Sequence, residues 1–135
     1  MKWEHLLAAA EESRCHAYSP YSRFAVGAAV ETEGGEIFAG TNVENRSFGV
    51  TLCAERSAFA AAVSAGHRRF RAVAIVTAST PPAAPCGLCR ETMIEFCAPE
   101  MPILLSNPEG ERRVFKLGEL FPEPFRFPAG GTPPR

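Results

Sequence analysis

The chain has 135 residues, 46% of them hydrophobic, and a formal net charge of −1. That length suits one domain with a full core, and that apolar content excludes a disordered chain. The balanced charge, with no long run of either sign, argues against a nucleic-acid partner, whose affinity would need clustered Lys and Arg.

No stretch of ~20 apolar residues is present, so no membrane span is expected. The opening Met1-Lys2-Trp3-Glu4-His5 leads into an amphipathic pattern, not the apolar region of a secretory signal. Five cysteines are an odd number. Without an export signal they point to metal or catalytic use rather than a disulfide framework, and the cytoplasm is the expected compartment.

Trp3, Leu6, Leu7, Ala10 and Ala17 recur at helical spacing and predict a first helix ending near Tyr18-Ser19-Pro20-Tyr21. Cys15 and His16 near its end read as packing or surface residues. Phe24 to Thr32 is apolar on both faces and reads as a central strand. Gly34-Gly35 marks a hairpin turn to an antiparallel strand from about Glu36 to Thr41. A polar, irregular stretch follows, Asn42-Val43-Glu44-Asn45-Arg46-Ser47-Phe48-Gly49.

From Cys53 to Ala65 the chain is alanine-rich and apolar nearly all round, which predicts a buried helix. Thr51 is its expected N-cap and Gly66 its C′ residue. His67-Arg68-Arg69 with Arg71 reads as a solvated loop. Ala72 to Thr77 is a third central strand, reached by a helical crossover and therefore expected to run parallel to its neighbour. A proline-rich loop, 78–85, leads to a helix from about Cys86 to Phe96, with Met93, Phe96 and Cys97 turned inward. Strands from Pro102 to Ser106 and from about Arg112 to Lys116 flank the turn Asn107-Pro108-Glu109-Gly110. That turn is too short for a crossover helix, so these strands should be antiparallel. Leu117 to Leu120 suggests one helical turn. The prediction is an α/β domain over residues 1–127, with a mixed five-stranded sheet, and a Gly/Pro-rich tail over 128–135.

Two stretches carry the chemistry: Thr51-Leu52-Cys53-Ala54-Glu55-Arg56 and Pro85-Cys86-Gly87-Leu88-Cys89-Arg90. Cys86 and Cys89 share one face of a helix's first turn, and Cys53 opens the other buried helix. Three thiolates suit Zn²⁺ and leave a fourth position for water. Helix dipoles at both starts favour the thiolate forms. Three thiolates on Zn²⁺ sum formally to −1, a poor charge for activating water, and Arg56 is the candidate cation to correct it by hydrogen-bonding thiolate sulfurs. Glu55, two residues from a ligand and set among alanines, is placed to shuttle a proton from that water to a substrate. The bland alternatives are a solvated Glu55 and a closed structural zinc knuckle, but neither Cys15, Cys97 nor any histidine has ligand spacing to the motifs.

A Cys-x-Glu followed by Pro-Cys-x-x-Cys is the signature of zinc nucleobase deaminases. Together with Ser22-Arg23-Phe24-Ala25-Val26-Gly27-Ala28-Ala29 and Asn42-Val43-Glu44-Asn45, it makes residues 3 to 125 resemble the small homotetrameric cytidine deaminases. The resemblance implies a three-layer α/β/α cytidine-deaminase-like fold whose last two strands are antiparallel. It implies one Zn²⁺ per chain on Cys53, Cys86 and Cys89, with Glu55 as the proton shuttle. It also implies Asn42 and Glu44 on the ribose hydroxyls, Phe24 against the pyrimidine, the Ala54 backbone on the base, and Phe125 entering a neighbouring subunit's site. The implied reaction is deamination of cytidine and 2′-deoxycytidine, small-molecule nucleosides. The chain departs from the family at Phe48, where tyrosine is usual, and at Glu91, where glutamine is more frequent. Glu91 is expected to pair with Arg56 or Arg90. A polynucleotide deaminase is disfavoured by the short turn at residues 107–110. A blasticidin-type deaminase is disfavoured by Arg56 and the Asn42–Glu44 pair. The reading from another class is a non-catalytic zinc-stabilised interaction domain.

Overall fold

The computed structural model describes residues 3–128. The remainder of the expected tail, from residue 129, lies outside them. The order is α1 (Glu4–Arg14), β1 (Val26–Thr32), β2 (Ile37–Thr41), a short 3-10 turn (Phe48–Val50), α2 (Ala54–Ser64), β3 (Phe70–Thr77), α3 (Gly87–Phe96), β4 (Pro102–Ser106), β5 (Arg112–Lys116) and the single turn α4 (Leu117–Leu120). The strands form one sheet in the order β2-β1-β3-β4-β5.

Side chains alternate across the sheet as the pleat requires. Ala28, Val30, Val73, Ile75, Ile103 and Leu105 face α2 and α3 and form the larger core. Ala29, Ala72, Ala74, Val76 and Leu104 face α1 and form the smaller one. Helices therefore cover both faces, and the central residues of β1 and β3 are apolar on both faces because each strand lies between two layers. Two glycines permit the close approach. A Cβ on Gly27 would sit 1.9 Å from the Ala10 carbonyl oxygen of α1, and one on Gly40 would sit 2.5 Å from the Ala58 nitrogen of α2.

The antiparallel β4–β5 pair is as expected from its short turn. The third strand is so on one edge only. β3 hydrogen-bonds antiparallel to β1 on one side and parallel to β4 on the other. The crossover through α2 does return the chain parallel to β2, but β1 already occupies the place beside β2, so β3 joins on β1's other edge. α1 stops at Arg14, earlier than its periodicity suggested, and is closed by the Cys15 N–H on the Glu12 carbonyl at 3.2 Å and the His16 N–H on the Ser13 carbonyl at 3.0 Å. The chain must turn there so that Tyr18 can bridge to Val43. Gly66 ends α2 in the left-handed region, at φ 100. Cys53 is the N-cap of α2, not Thr51; the Thr51 hydroxyl instead accepts the Asn45 N–H at 3.1 Å.

Candidate active site

β2 and β3 both run antiparallel to β1 and so parallel to each other. Each is followed by a helix on the same face of the sheet, so the two helices begin at the same sheet end. This brings the N-cap of α2, Cys53, beside the N-cap of α3, Cys86, with Cys89 in the first turn above it. The Cys53 and Cys86 sulfurs are 3.7 Å apart, the Cys86 and Cys89 sulfurs 3.5 Å, and all three lie within 4.8 Å of one another. Tetrahedral zinc with ~2.3 Å bonds to sulfur holds its thiolates about 3.8 Å apart. The three thiols therefore fit one zinc ion without rearrangement of the backbone.

Arg56 donates to the Thr51 carbonyl at 3.0 Å and to the Cys53 sulfur at 3.8 Å. Its buried Nε has no partner. The expected thiolate contact is thus present, to Cys53. Hydrogen bonding from Cys89 first, with Arg56 and Cys86 adding to it, lowers the Cys53 thiol to about 5 despite burial. Cys89 is pushed up for the same reason, since its S–H is the donor to Cys53. Glu91 pairs with neither arginine: its side chain is exposed, and Arg90 is taken by the carbonyls of Pro85 at 2.9 Å and Leu120 at 2.6 Å. An exposed carboxylate gains too little from a surface pair to pull a guanidinium off two carbonyls.

Glu55 is only 5% exposed. Burial, reinforced by the Cys53 thiolate, raises its carboxyl to about 7. It opens onto a cavity of about 290 Å³ that also includes Cys53, Ala54, Cys86, Phe24, Asn42 and Glu44. That is the low end of the range for small-molecule sites, ~300–1,000 Å³. These seven residues come from four separate stretches of chain, and two of the three thiols, Cys53 and Cys86, line the cavity with Glu55. A second cavity of about 340 Å³ adjoins it through Ser22, Glu44 and Thr51, and Phe48 lies on its wall. Phe125 is not part of either cavity; it is 74% exposed and packs edge-on against Phe127 at 5.3 Å.

Asn42 is buried, and its amide bridges the entry to β1, accepting the Val26 N–H at 2.9 Å and donating to the Phe24 carbonyl at 2.8 Å. Glu44 accepts the N–H groups of Tyr21 at 2.9 Å and Ser22 at 3.0 Å on one oxygen, and the Ser22 hydroxyl on the other. The Ser22 hydroxyl bond is the main reason its carboxyl lies below the usual carboxylate range. Ser22 and Thr77 also line the cavity and were not among the predicted site residues. Ser22 stands within the Ser-Arg-Phe stretch, but nothing in its neighbours signals a role. Thr77 is the last residue of β3, and a polar end to an apolar strand was the available sign.

The chain matches a family model described as the cytidine and deoxycytidylate deaminase zinc-binding region over residues 1–105. It is 44% identical over 125 residues to a cytidine deaminase of Sporosarcina psychrophila, covering 93% of this chain and 92% of that protein. It is 42% identical to a cytidine deaminase of Mycobacterium tuberculosis, covering 91% of this chain and 89% of that one. Its structure superposes on the crystal structure of cytidine deaminase from Burkholderia pseudomallei with a TM-score of 0.89, at 46% identity and covering 93% of this chain and 100% of the other. With its three thiols, its buried carboxyl and its sheet order in place, the chain belongs to the cytidine and deoxycytidylate deaminase zinc-binding family.

Proposed function

We propose that this protein is a zinc-dependent cytidine deaminase, converting cytidine and 2′-deoxycytidine to uridine and 2′-deoxyuridine with release of ammonia. The observation that carries this reading is the buried Glu55 carboxyl beside three converging thiols at one end of a nucleoside-sized cavity. Cys53, Cys86 and Cys89 would hold the metal, which when bound supplies Lewis-acid activation of water at neutral pH. Arg56 offsets the charge of the thiolates. Glu55 takes the proton from the attacking water and delivers it to N3 of the pyrimidine as the oxygen adds at C4. It then takes the proton of the new C4 hydroxyl and hands it to the exocyclic amine, and the C4–N4 bond breaks as the C4 carbonyl forms, releasing ammonia.

Ala54 opens α2, where N–H groups have no intrahelical partner, and its N–H is available to the base. Phe24 packs against the pyrimidine, and Asn42 and Glu44 receive the ribose hydroxyls. Glu44 retains acceptor capacity beyond its three present donors. Asn42 has one N–H beyond those bonded to the strand. The exposed Phe48, Val50, Phe125 and Phe127 support a homotetramer in which Phe125 reaches a neighbour's cavity, because that much exposed aromatic surface signals an interface. A catalytic domain over residues 1–127 with a short tail, working in the cytoplasm on a small nucleoside and not on nucleic acid, completes the reading. No helix among the described residues is long and apolar enough to cross a membrane.

The test is zinc content per chain together with the absorbance change on adding cytidine. Glu55→Gln should keep its zinc and lose at least ~10²–10⁴ in rate. Stoichiometric zinc with no ammonia released from cytidine would make the protein a zinc-stabilised interaction domain instead.

A further inference from the structure

We propose that Ser22 is a positioning residue that locks Phe24 and Glu44 to each other across the mouth of the cavity. The inference rests on the deaminase reading of that cavity, and it adds a residue that neither the motifs nor that reading assigns. A hydroxyl has one proton and two lone pairs. The Ser22 proton is committed to Glu44, and a lone pair accepts the Phe24 N–H at 3.0 Å. One hydroxyl thus links the carboxylate at the sugar end of the cavity to the backbone of the aromatic residue at the base end.

The turn around it needs such a lock. Arg23, between Ser22 and Phe24, has φ 59, a left-handed conformation that non-glycine residues seldom adopt. Strained residues of this kind persist only where their surroundings over-determine them. Here the Arg23 N–H bonds to the Ser19 carbonyl at 2.9 Å. Glu44 takes the N–H groups of Tyr21 and Ser22. On the other side of Phe24, Asn42 holds the carbonyl of Phe24 and the N–H of Val26. The Phe24 backbone is therefore gripped by Ser22 at its N–H and by Asn42 at its carbonyl, while its side chain remains exposed to the cavity. Removing the Ser22 hydroxyl takes away the N–H grip and one of the donors to Glu44 together. Contacts of Phe24 and Glu44 with the substrate are made before and during the reaction alike, so their loss raises KM and leaves kcat nearly unchanged.

The experiment compares the zinc-loaded parent, Ser22→Ala and Ser22→Thr for kcat and KM with cytidine, zinc content and hydrogen exchange at the Phe24 amide. Ser22→Ala is expected to keep full zinc and kcat, to raise KM about tenfold, and to speed exchange at Phe24 about tenfold; Ser22→Thr restores both. A second cycle places Ser22→Ala in Phe24→Ala and in Glu44→Gln backgrounds, where its effect on KM should shrink to about threefold in each because part of it acts through the side chain removed. An unchanged KM in Ser22→Ala overturns the proposal, as does a full tenfold effect in both backgrounds. Loss of zinc or of the folded state in Ser22→Ala overturns it too, since the hydroxyl would then hold the fold and not the two side chains. A parent protein that fails to deaminate cytidine defeats the functional reading alone. Exchange at Phe24 still tests the lock, and protection unchanged in Ser22→Ala refutes it.

Discussion

Asn42 offers the sharpest test of how the cavity is built, because its amide is spent on the backbone. Asn42→Ala leaves the Val26 N–H and the Phe24 carbonyl without the partners that now lie at 2.9 and 2.8 Å. Asn42 is 7% exposed, so water has little access to replace them. Each orphaned buried group costs about 1–3 kcal/mol, giving about 2–6 kcal/mol for the pair. That is a large part of the ~5–15 kcal/mol that holds a typical domain together. Urea unfolding, followed by the fluorescence of Trp3 at fixed protein concentration and zinc, should show the midpoint falling by roughly 1–3 M for an m-value of about 2 kcal/mol/M. Asn42→Asp sharpens the argument. Its carboxylate still accepts from Val26 but faces the Phe24 carbonyl with no proton to give, so its folded pKa is raised above the unfolded value of about 3.9. Stability tied to a raised pKa is fully present below the unfolded value and lost as pH rises through the folded one. The deficit of Asn42→Asp against the parent should therefore be smaller at pH 4 than at pH 7.5. An Asn42→Ala protein within about 0.5 kcal/mol of the parent refutes this account and leaves Asn42 as a substrate ligand only.

Gly27→Ala drives a methyl group to 1.9 Å from the Ala10 oxygen and 2.6 Å from the Arg14 nitrogen. No rotamer relieves a clash with helix backbone, so α1 must shift, at a cost near or above the upper end of about 1–3 kcal/mol; thermal denaturation should show a drop of roughly 8–12 °C. Stripping zinc with a chelator should raise the thiols reactive under native conditions from one to three, Cys15 alone and then Cys15 with Cys53 and Cys86, while buried Cys89 and Cys97 stay silent. A count that stays at one after metal loss argues against the cysteine ligands. Glu91→Gln should leave zinc retention, activity and stability unchanged, the last within about 0.5 kcal/mol, because the side chain is exposed; a measurable loss of zinc would restore the pairing that the geometry excludes.

The two cysteine motifs were legible because metal chemistry restricts residue type and spacing together. Cys86 and Cys89 are candidate ligands on one helix turn at a separation that local geometry sets, and the burial of Glu55 followed from the alanines around it. Most strands were legible too, since β1 and β3 are apolar on both faces only if layers cover both. Thr51 shows where local reading fails. A threonine before an apolar run satisfies the N-cap rule, yet the helix starts two residues later, with its cap at Cys53, because the Thr51 hydroxyl is taken by the Asn45 N–H.

The sequence by itself determined which three thiols are candidate metal ligands, which carboxyl is the candidate proton shuttle, and that a sheet lies between helices, because these depend on residue chemistry and on periods of two to four residues. Tertiary structure alone decided that β3 pairs with β1 and β4, since strand order depends on which edge is free when a crossover returns. It also decided the bonding of Ser22, Asn42 and Glu44. Hydrogen bonds between residues about 20 positions apart exist only after β1 and β2 have paired and brought the two loops together. No local pattern encodes that meeting, because each of these side chains, seen alone, is an ordinary turn residue.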